Sequence, residues 1–272
     1  MSVRDAIVAR FDAGEISREI ALAQVLLTGE VPDPADLPAP LAALARAHAE
    51  RLPALAALAR AGFDPSDADV LGSTTALFDR LAAHAPEAAV AFYSLGDPAL
   101  LADATAELVA VIRRWSPVEG KTVLDFGCGI GRVASALAPF AREVVGVDLS
   151  AGMVEQARRR AGSSPTLSFH VSDGGPLDLA SGRFDLIVAA DCMPFVVRAG
   201  EEVLHRQFED FARLLGPAGD LLVFNWSYRG DPDADVAEAL MLAERHGFTL
   251  LRAGERPFAL WDGTGFQLRR TA

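Results

Sequence analysis

Lys121-Thr-Val-Leu-Asp-Phe126 is a β-branched and apolar run that passes without a linker into Gly127-Cys-Gly-Ile-Gly131, and Val133-Ala-Ser-Ala-Leu-Ala138 then reads as a helix. A strand, a glycine-rich turn and a helix in that order form the opening turn of a nucleotide-binding α/β domain. The glycines let the backbone turn tightly and approach a ligand with no Cβ in the way. From residue 119 onward the chain keeps this alternation. Strands are predicted near 122–126, 143–147, 166–171, 184–190, 220–225, 248–254 and 258–268, and helices near 131–139, 151–161, 200–215 and 233–246. Such a pattern implies βαβ units and a largely parallel sheet. Only a few residues around Gly254 and Pro257 separate the last two strands. That is too short for a crossover helix, so the two are predicted to pair antiparallel.

The glycine loop fits two cofactors. Read from Gly129, Gly-Ile-Gly-Arg-Val-Ala satisfies the G-x-G-x-x-G/A dinucleotide fingerprint, with Asp148 roughly 20 residues on as a ribose ligand. Read from Asp125, Asp-Phe-Gly-Cys-Gly-Ile-Gly resembles the D/E-x-G-x-G-x-G signature of the class I S-adenosylmethionine-dependent methyltransferases. A pyrophosphate is anionic and disfavours a carboxylate at the strand's end, whereas the amino-acid end of S-adenosylmethionine carries an ammonium that favours one. Asp125 therefore favours the second register. The terminal hairpin favours it too, because dinucleotide domains usually finish all-parallel.

Further motifs follow in the order that this family shows. Glu143-Val-Val-Gly-Val-Asp148 is a strand ending in a carboxylate suited to both ribose hydroxyls. Ser150 is placed to cap the next helix. Ser168-Phe-His-Val-Ser-Asp173-Gly174 ends a third strand, Arg183-Phe-Asp185 to Asp191 resembles the fourth, and Leu214-Leu-Gly-Pro-Ala-Gly-Asp-Leu resembles the helix, turn and fifth strand. The resemblance covers residues 120 to 270. It implies a doubly wound, seven-stranded, mostly parallel sheet with a terminal antiparallel hairpin. It also implies S-adenosylmethionine as cofactor, held by Asp125, Phe126, Gly127, Cys128, Gly129, Gly131, Asp148, Leu149, Met153, Asp173, Gly174 and Asp191, with Asp173 at the adenine amino group.

Residues 1–118 carry no strand pattern. They are rich in Ala, Leu and Arg, with helices predicted near 3–12, 15–28, 40–61 (interrupted at Pro53), 72–84 and 98–115, and turns at Pro32-Asp-Pro34, Leu37-Pro-Ala-Pro40 and Gly62-Phe-Asp-Pro65. Leu41, Leu44, Ala45 and His48 fall at helical spacing and read as a core stripe. The chain thus divides into an all-helical N-terminal module, 1–118, and a methyltransferase domain, 119–272. In small-molecule methyltransferases such a module covers the active site or forms a homodimer interface, and both readings stay open here. Ala91-Phe-Tyr93-Ser-Leu-Gly96-Asp97 is either a lid over the cofactor or a plain interhelical loop.

Composition narrows the substrate. A formal charge of −12 argues against a nucleic-acid partner, which requires basic surface to neutralise phosphates. The Arg158-Arg-Arg160 run closes a helix, where cations suit the dipole. No apolar run reaches membrane-spanning length, and the first residues lack a secretory signal, so a cytoplasmic location is expected. Lys121 is the only lysine, a bias that suggests a GC-rich bacterial genome. Cys128 and Cys192 form no disulfide framework and read as small residues near the cofactor. The five histidines form no ligand motif, so no metal is expected.

The acceptor should lie beyond strands four and five, whose ends read Asp191-Cys-Met-Pro-Phe195 and Asn225-Trp-Ser-Tyr-Arg229. Asp191 is the candidate base or amine-orienting group, with Tyr93, Asn225 and Tyr228 as substrate contacts and Trp226 as an apolar or cation–π wall. These readings predict methyl transfer to an oxygen or nitrogen of a small metabolite. A protein methyltransferase, an NAD(P)-dependent oxidoreductase and a non-catalytic cofactor-binding protein are the competing readings.

Overall fold

The computed structural model describes residues 2–60 and 69–271. Ahead of the sheet lie α1 (Val3–Asp12), α2 (Arg18–Leu27), α3 (Ala39–Ala47), α4 (Leu52–Arg60), α5 (Val70–His84), α6 (Pro86–Val90) and α7 (Pro98–Trp115). Several of these start where a short polar side chain satisfies the free amides of a first turn. Ser2, Ser17, Asp69 and Asp97 all accept such bonds. The single helix expected over 40–61 is two helices, and the break falls at residues 48–51 and not at Pro53. Pro53 sits in the first turn of α4, where a missing N–H breaks no helical bond. The turn expected at Gly62-Phe-Asp-Pro65 lies outside the described residues.

The second part forms one seven-stranded sheet from β1 (Thr122–Phe126), β2 (Glu143–Asp148), β3 (Leu167–Val171), β4 (Phe184–Ala190), β5 (Leu215–Phe224), β6 (Phe248–Glu255) and β7 (Gly265–Arg270), in the order β3-β2-β1-β4-β5-β7-β6. The pairs from β3 through β5 are parallel, and β7 runs antiparallel to both β5 and β6. Between strands lie α8 (Arg132–Leu137), α9 (Ala151–Ala161), α10 (Met193–Arg198), α11 (Glu201–Leu214) and α12 (Pro232–His246). Strand order reverses at β1, which has β2 on one side and β4 on the other, so a crevice opens at the carboxyl ends of these three strands.

Two strands differ from their expected bounds, each for a local reason. β5 starts at Leu215, directly out of α11, because Leu215 pairs with Phe184 ahead of a register shift. β7 starts at Gly265 because residues 256–264 are claimed by the helical region. Glu107 of α7 accepts the Ala259 and Leu260 amides at 2.6 and 3.1 Å, and the Ser17 hydroxyl donates to the Leu260 carbonyl at 2.8 Å. Backbone groups satisfied in this way need no strand partner.

One face of the sheet shares its core with the N-terminal helices. Leu22, Leu26, Leu41 and Ile112 belong to the same buried cluster as Val123, Val144 and Val154. The other face is covered by α11 and α12, whose Phe208, Phe211 and Leu242 share a buried cluster with Phe266 of β7. Trp226, expected to wall the substrate, belongs to this second core instead. It is fully buried, its indole N–H donates to Glu238 at 2.7 Å, and its ring lies 4.9 Å from that of Phe266. The Arg158–Arg160 run is tied down at each position, by the Phe169 carbonyl, Glu155 and Glu87.

Gly131 serves this packing. It adopts φ +74°, and a Cβ there would lie 2.7 Å from the Phe169 ring and 3.0 Å from Ala157. The Gly131→Ala variant combines a left-handed backbone with a core clash, and is expected to lose on the order of 2–4 kcal/mol of stability. Urea unfolding of the two proteins measures the difference.

Candidate active site

At the carboxyl ends of β1, β2 and β4 the chain places three aspartates around one cavity of about 1030 Å³. Each lies at or next to the end of a buried strand, so each carboxylate is taken out of water and held by specific donors. Asp125 is 1% exposed and accepts the Ala134 amide at 3.0 Å, at the start of α8. Burial pushes its pKa up to about 7 against the opposing pull of that bond and of Arg132. Asp148 accepts the Gly129 amide on one oxygen at 2.8 Å and the Ser150 amide on the other at 2.9 Å. These bonds lock its plane across the mouth of the glycine loop, and burial raises its pKa as well.

Asp191 follows β4 with φ +59°, and Asn225 follows β5 with φ +67°. Two adjacent left-handed turns at neighbouring strand ends store backbone strain, a feature that clusters at functional sites. The geometry brings three expected substrate-facing residues together. Asp191 Oδ1 accepts both the Asn225 amide at 2.7 Å and the Tyr228 hydroxyl at 2.9 Å, and its Oδ2 receives no hydrogen bond among the described residues. Burial lifts Asp191 to about 6, with the Asn225 and Tyr228 bonds pulling the other way.

The glycine loop is roofed as well as cradled. Gly129 has φ +52°, and a Cβ there would come within 2.6 Å of Val90 at the end of α6. α6 and the turn Phe92–Ser94 run along the cavity wall, so the Ala91–Asp97 segment contributes Phe92 and Tyr93 to the lining. Asp79 of α5 accepts from the Ser150 hydroxyl at 2.6 Å and the Gly152 amide at 3.0 Å, clamping the helical region onto the start of α9. Phe78, Phe195 and Tyr228 make consecutive edge-to-face contacts at 5.5 and 5.9 Å, forming an aromatic wall.

The remaining expected residues divide into two groups. Phe126, Gly127, Cys128, Gly129, Leu149 and Gly174 line the cavity with Asp125, Asp148, Asp191, Tyr93, Asn225 and Tyr228. Gly131, Met153 and Asp173 do not. Met153 is fully buried in the core, and Gly131 packs on Phe169. Asp173 is exposed in an adjoining cavity, and its carboxylate accepts the Gly175 amide at 2.9 Å. Ser172 lines the main cavity at that point. Cys192 donates to the Phe126 carbonyl at 3.0 Å, and burial pushes both the Cys128 and Cys192 thiols well above their ordinary range. Protonated thiols in such tight surroundings fill space and are poor nucleophiles.

Sequence reasoning missed Asp79, Val90, Arg132, Trp261 and Asp262. Pro86 could have marked the start of α6, but no local signal joins Trp261 or Asp262 to a site formed so far back in the chain.

Residues 123–219 match the model of a methyltransferase domain family. A demethylmenaquinone methyltransferase of Clavibacter sepedonicus is 28% identical over 57% of this chain. A 2-methyl-6-phytyl-1,4-hydroquinone methyltransferase of Synechocystis is 29% identical over 50% of it. The chain spans only 59% and 44% of those two relatives. Among solved structures, a TehB-like S-adenosylmethionine-dependent methyltransferase of Corynebacterium glutamicum is 25% identical, with a TM-score of 0.50 over 61% of this chain and 88% of the other. Magnesium protoporphyrin IX methyltransferase of Synechocystis, 18% identical, shares the fold with a TM-score of 0.57 over 76% of this chain and 99% of the other.

The raised Asp125 pKa has a signed consequence for stability. Its folded value of about 7 exceeds the unfolded value of 3.8, so the folded state binds the proton more tightly. Stability from this group is present in full below about 3.8 and is lost as pH rises through about 7. Thermal unfolding at mildly acidic and mildly alkaline pH should show the wild type losing more stability on alkalinisation than Asp125→Asn.

Proposed function

Because the chain belongs to the class I S-adenosylmethionine-dependent methyltransferases, we propose that it methylates an oxygen or nitrogen of a small, largely apolar molecule. The observation that carries this reading is that Asp191, held by Asn225 and Tyr228, lines the same cavity as the glycine loop and Asp148. Bound S-adenosylmethionine supplies an electrophilic methyl group on a sulfonium. The residues present fit that group. Asp148, oriented by two backbone amides, has lone pairs left to accept from a ribose diol. The bare backbone at Gly127–Gly129 and the Asp125 carboxylate suit its amino-acid end, and Leu149 with Gly174 offers an apolar slot for the adenine.

Displacement at a sulfonium requires alignment more than acid catalysis, so the chain's main task is to hold the acceptor in line. Asp191 is suited to it. Its Oδ1 is fixed by two donors, which leaves Oδ2 to accept an acceptor's O–H or N–H and to draw off the proton. The cavity is at the upper end of the range for small-molecule sites, enough for a cofactor and an acceptor together. Its aromatic wall favours an apolar skeleton, in keeping with the quinone-type names of the relatives. Roofing by α5, α6 and Tyr93 favours a small molecule over a protein segment, and supports a covering role for the helical region.

Two measurements test the reading. Calorimetry should show S-adenosylhomocysteine binding to the wild type, no comparable NAD binding, and a loss of roughly tenfold or more in Asp148→Ala, which removes a charge-assisted bond pair. In a methyl-transfer assay with an accepted substrate, Asp191→Asn should lower kcat by about 10²-fold or more while leaving S-adenosylhomocysteine affinity within a few-fold. Unimpaired turnover in that variant would remove Asp191 from the chemistry.

A further inference from the structure

Resting on the reading above, we propose that Tyr93 and Asp262 form a second polar subsite, which binds a hydroxyl group of the acceptor remote from the methylated atom. Tyr93 is 8% exposed and lines the cavity, yet its hydroxyl has no hydrogen-bond partner among the described residues. That hydroxyl opens onto the cavity and not into the packed core, so it is a donor the protein leaves available to a bound molecule. Its ring stacks on Trp261 at 6.1 Å with the planes 8° apart, and the next residue, Asp262, lines the same cavity.

Asp262 is held in place from two sides. Gln24 of α2 donates to its Oδ2 at 3.2 Å. Two residues on, the Thr264 carbonyl accepts the Asn225 amide at 2.6 Å. The subsite is therefore tied through the backbone to the residue that orients Asp191. The helical region and the β6–β7 connection build it jointly, each supplying one of the two polar groups.

The pair selects the chemistry of its ligand. Burial pushes Tyr93 up to about 12, so it keeps its proton and can donate. Asp262 is a carboxylate and can only accept while ionised. One group that meets both must accept and donate at once, as a hydroxyl does. An ammonium only donates, and a carbonyl only accepts. Burial holds the Asp262 carboxyl above its ordinary range while Arg10 and Arg256 pull the other way, so the chain already supplies cations near it. Combined with the aromatic walls, this describes a neutral, apolar acceptor with a hydroxyl at this subsite and its methylated atom at Asp191.

The test is calorimetry on the S-adenosylhomocysteine-loaded protein with the dihydroxynaphthalene isomers, and the matched naphthols and aminonaphthols as comparators. At least one dihydroxy isomer should bind roughly tenfold more tightly than either naphthol, the effect of satisfying buried partners. That advantage should shrink toward parity in both Tyr93→Phe and Asp262→Asn, with a thermal melt of each variant reporting that it is folded. The proposal is overturned if no dihydroxy isomer outbinds the naphthols, if none binds, if aminonaphthols at neutral pH gain equally, or if the advantage survives in both variants. Failure of the broader reading is separable, because it shows as absent S-adenosylhomocysteine binding before any acceptor is added.

Discussion

The hydrogen bonds from Gly129 and Ser150 to the two oxygens of Asp148 are the constraint on which the rest of the site depends. They join the end of β2 to the glycine loop after β1 and to the start of α9. The Ser150 hydroxyl caps α9 through Met153 and is shared with Asp79 of α5, which carries the same network into the helical region. A buried carboxylate with a raised pKa is tolerated only where such donors compensate its lost hydration. Once it is in place, loop, strand and roof have little freedom left.

The same economy recurs at each strand end. At or within one residue of their carboxyl ends, β1, β2 and β4 each carry an aspartate that is largely removed from water and bound by nearby amides or side chains. These groups work against stability at neutral pH, since burial disfavours the charged form. Their concentration at one crevice, beside left-handed turns at Asp191 and Asn225, is the pattern expected where a fold gives up stability to position chemistry.

Much of this was legible in the sequence, for physical reasons that differ by element. β1, α9 and α7 were legible because apolar periodicity, a glycine turn and short polar caps all agree within a few residues. The cavity-facing glycines and the carboxylates at 125, 148 and 191 were legible because a motif in the right order carries topology with it. Met153 and Gly131 belong to the same motif but pack into the core, since motif membership does not say which way a residue faces. Trp226 follows the left-handed turn at Asn225, which no local sequence signal marks, and beyond that turn it packs on Phe266 and bonds Glu238 in the core. Tyr93 and Asp262 could not be joined from the chain alone. They line one cavity because the β6–β7 connection leaves the sheet to bond with Glu107, Ser17 and Gln24, a contact across more than half of the sequence.

The account makes one structural claim above all, that a single cavity binds the cofactor at Asp148 and presents an acceptor to Asp191. A crystal structure with S-adenosylhomocysteine tests it most directly. The account predicts the ribose hydroxyls on the Asp148 carboxylate, with the sulfur facing open space bounded by Asp191, Tyr228 and Tyr93. A ribose bound away from Asp148, or a sulfur sealed from Asp191 with no space beside it, would contradict it.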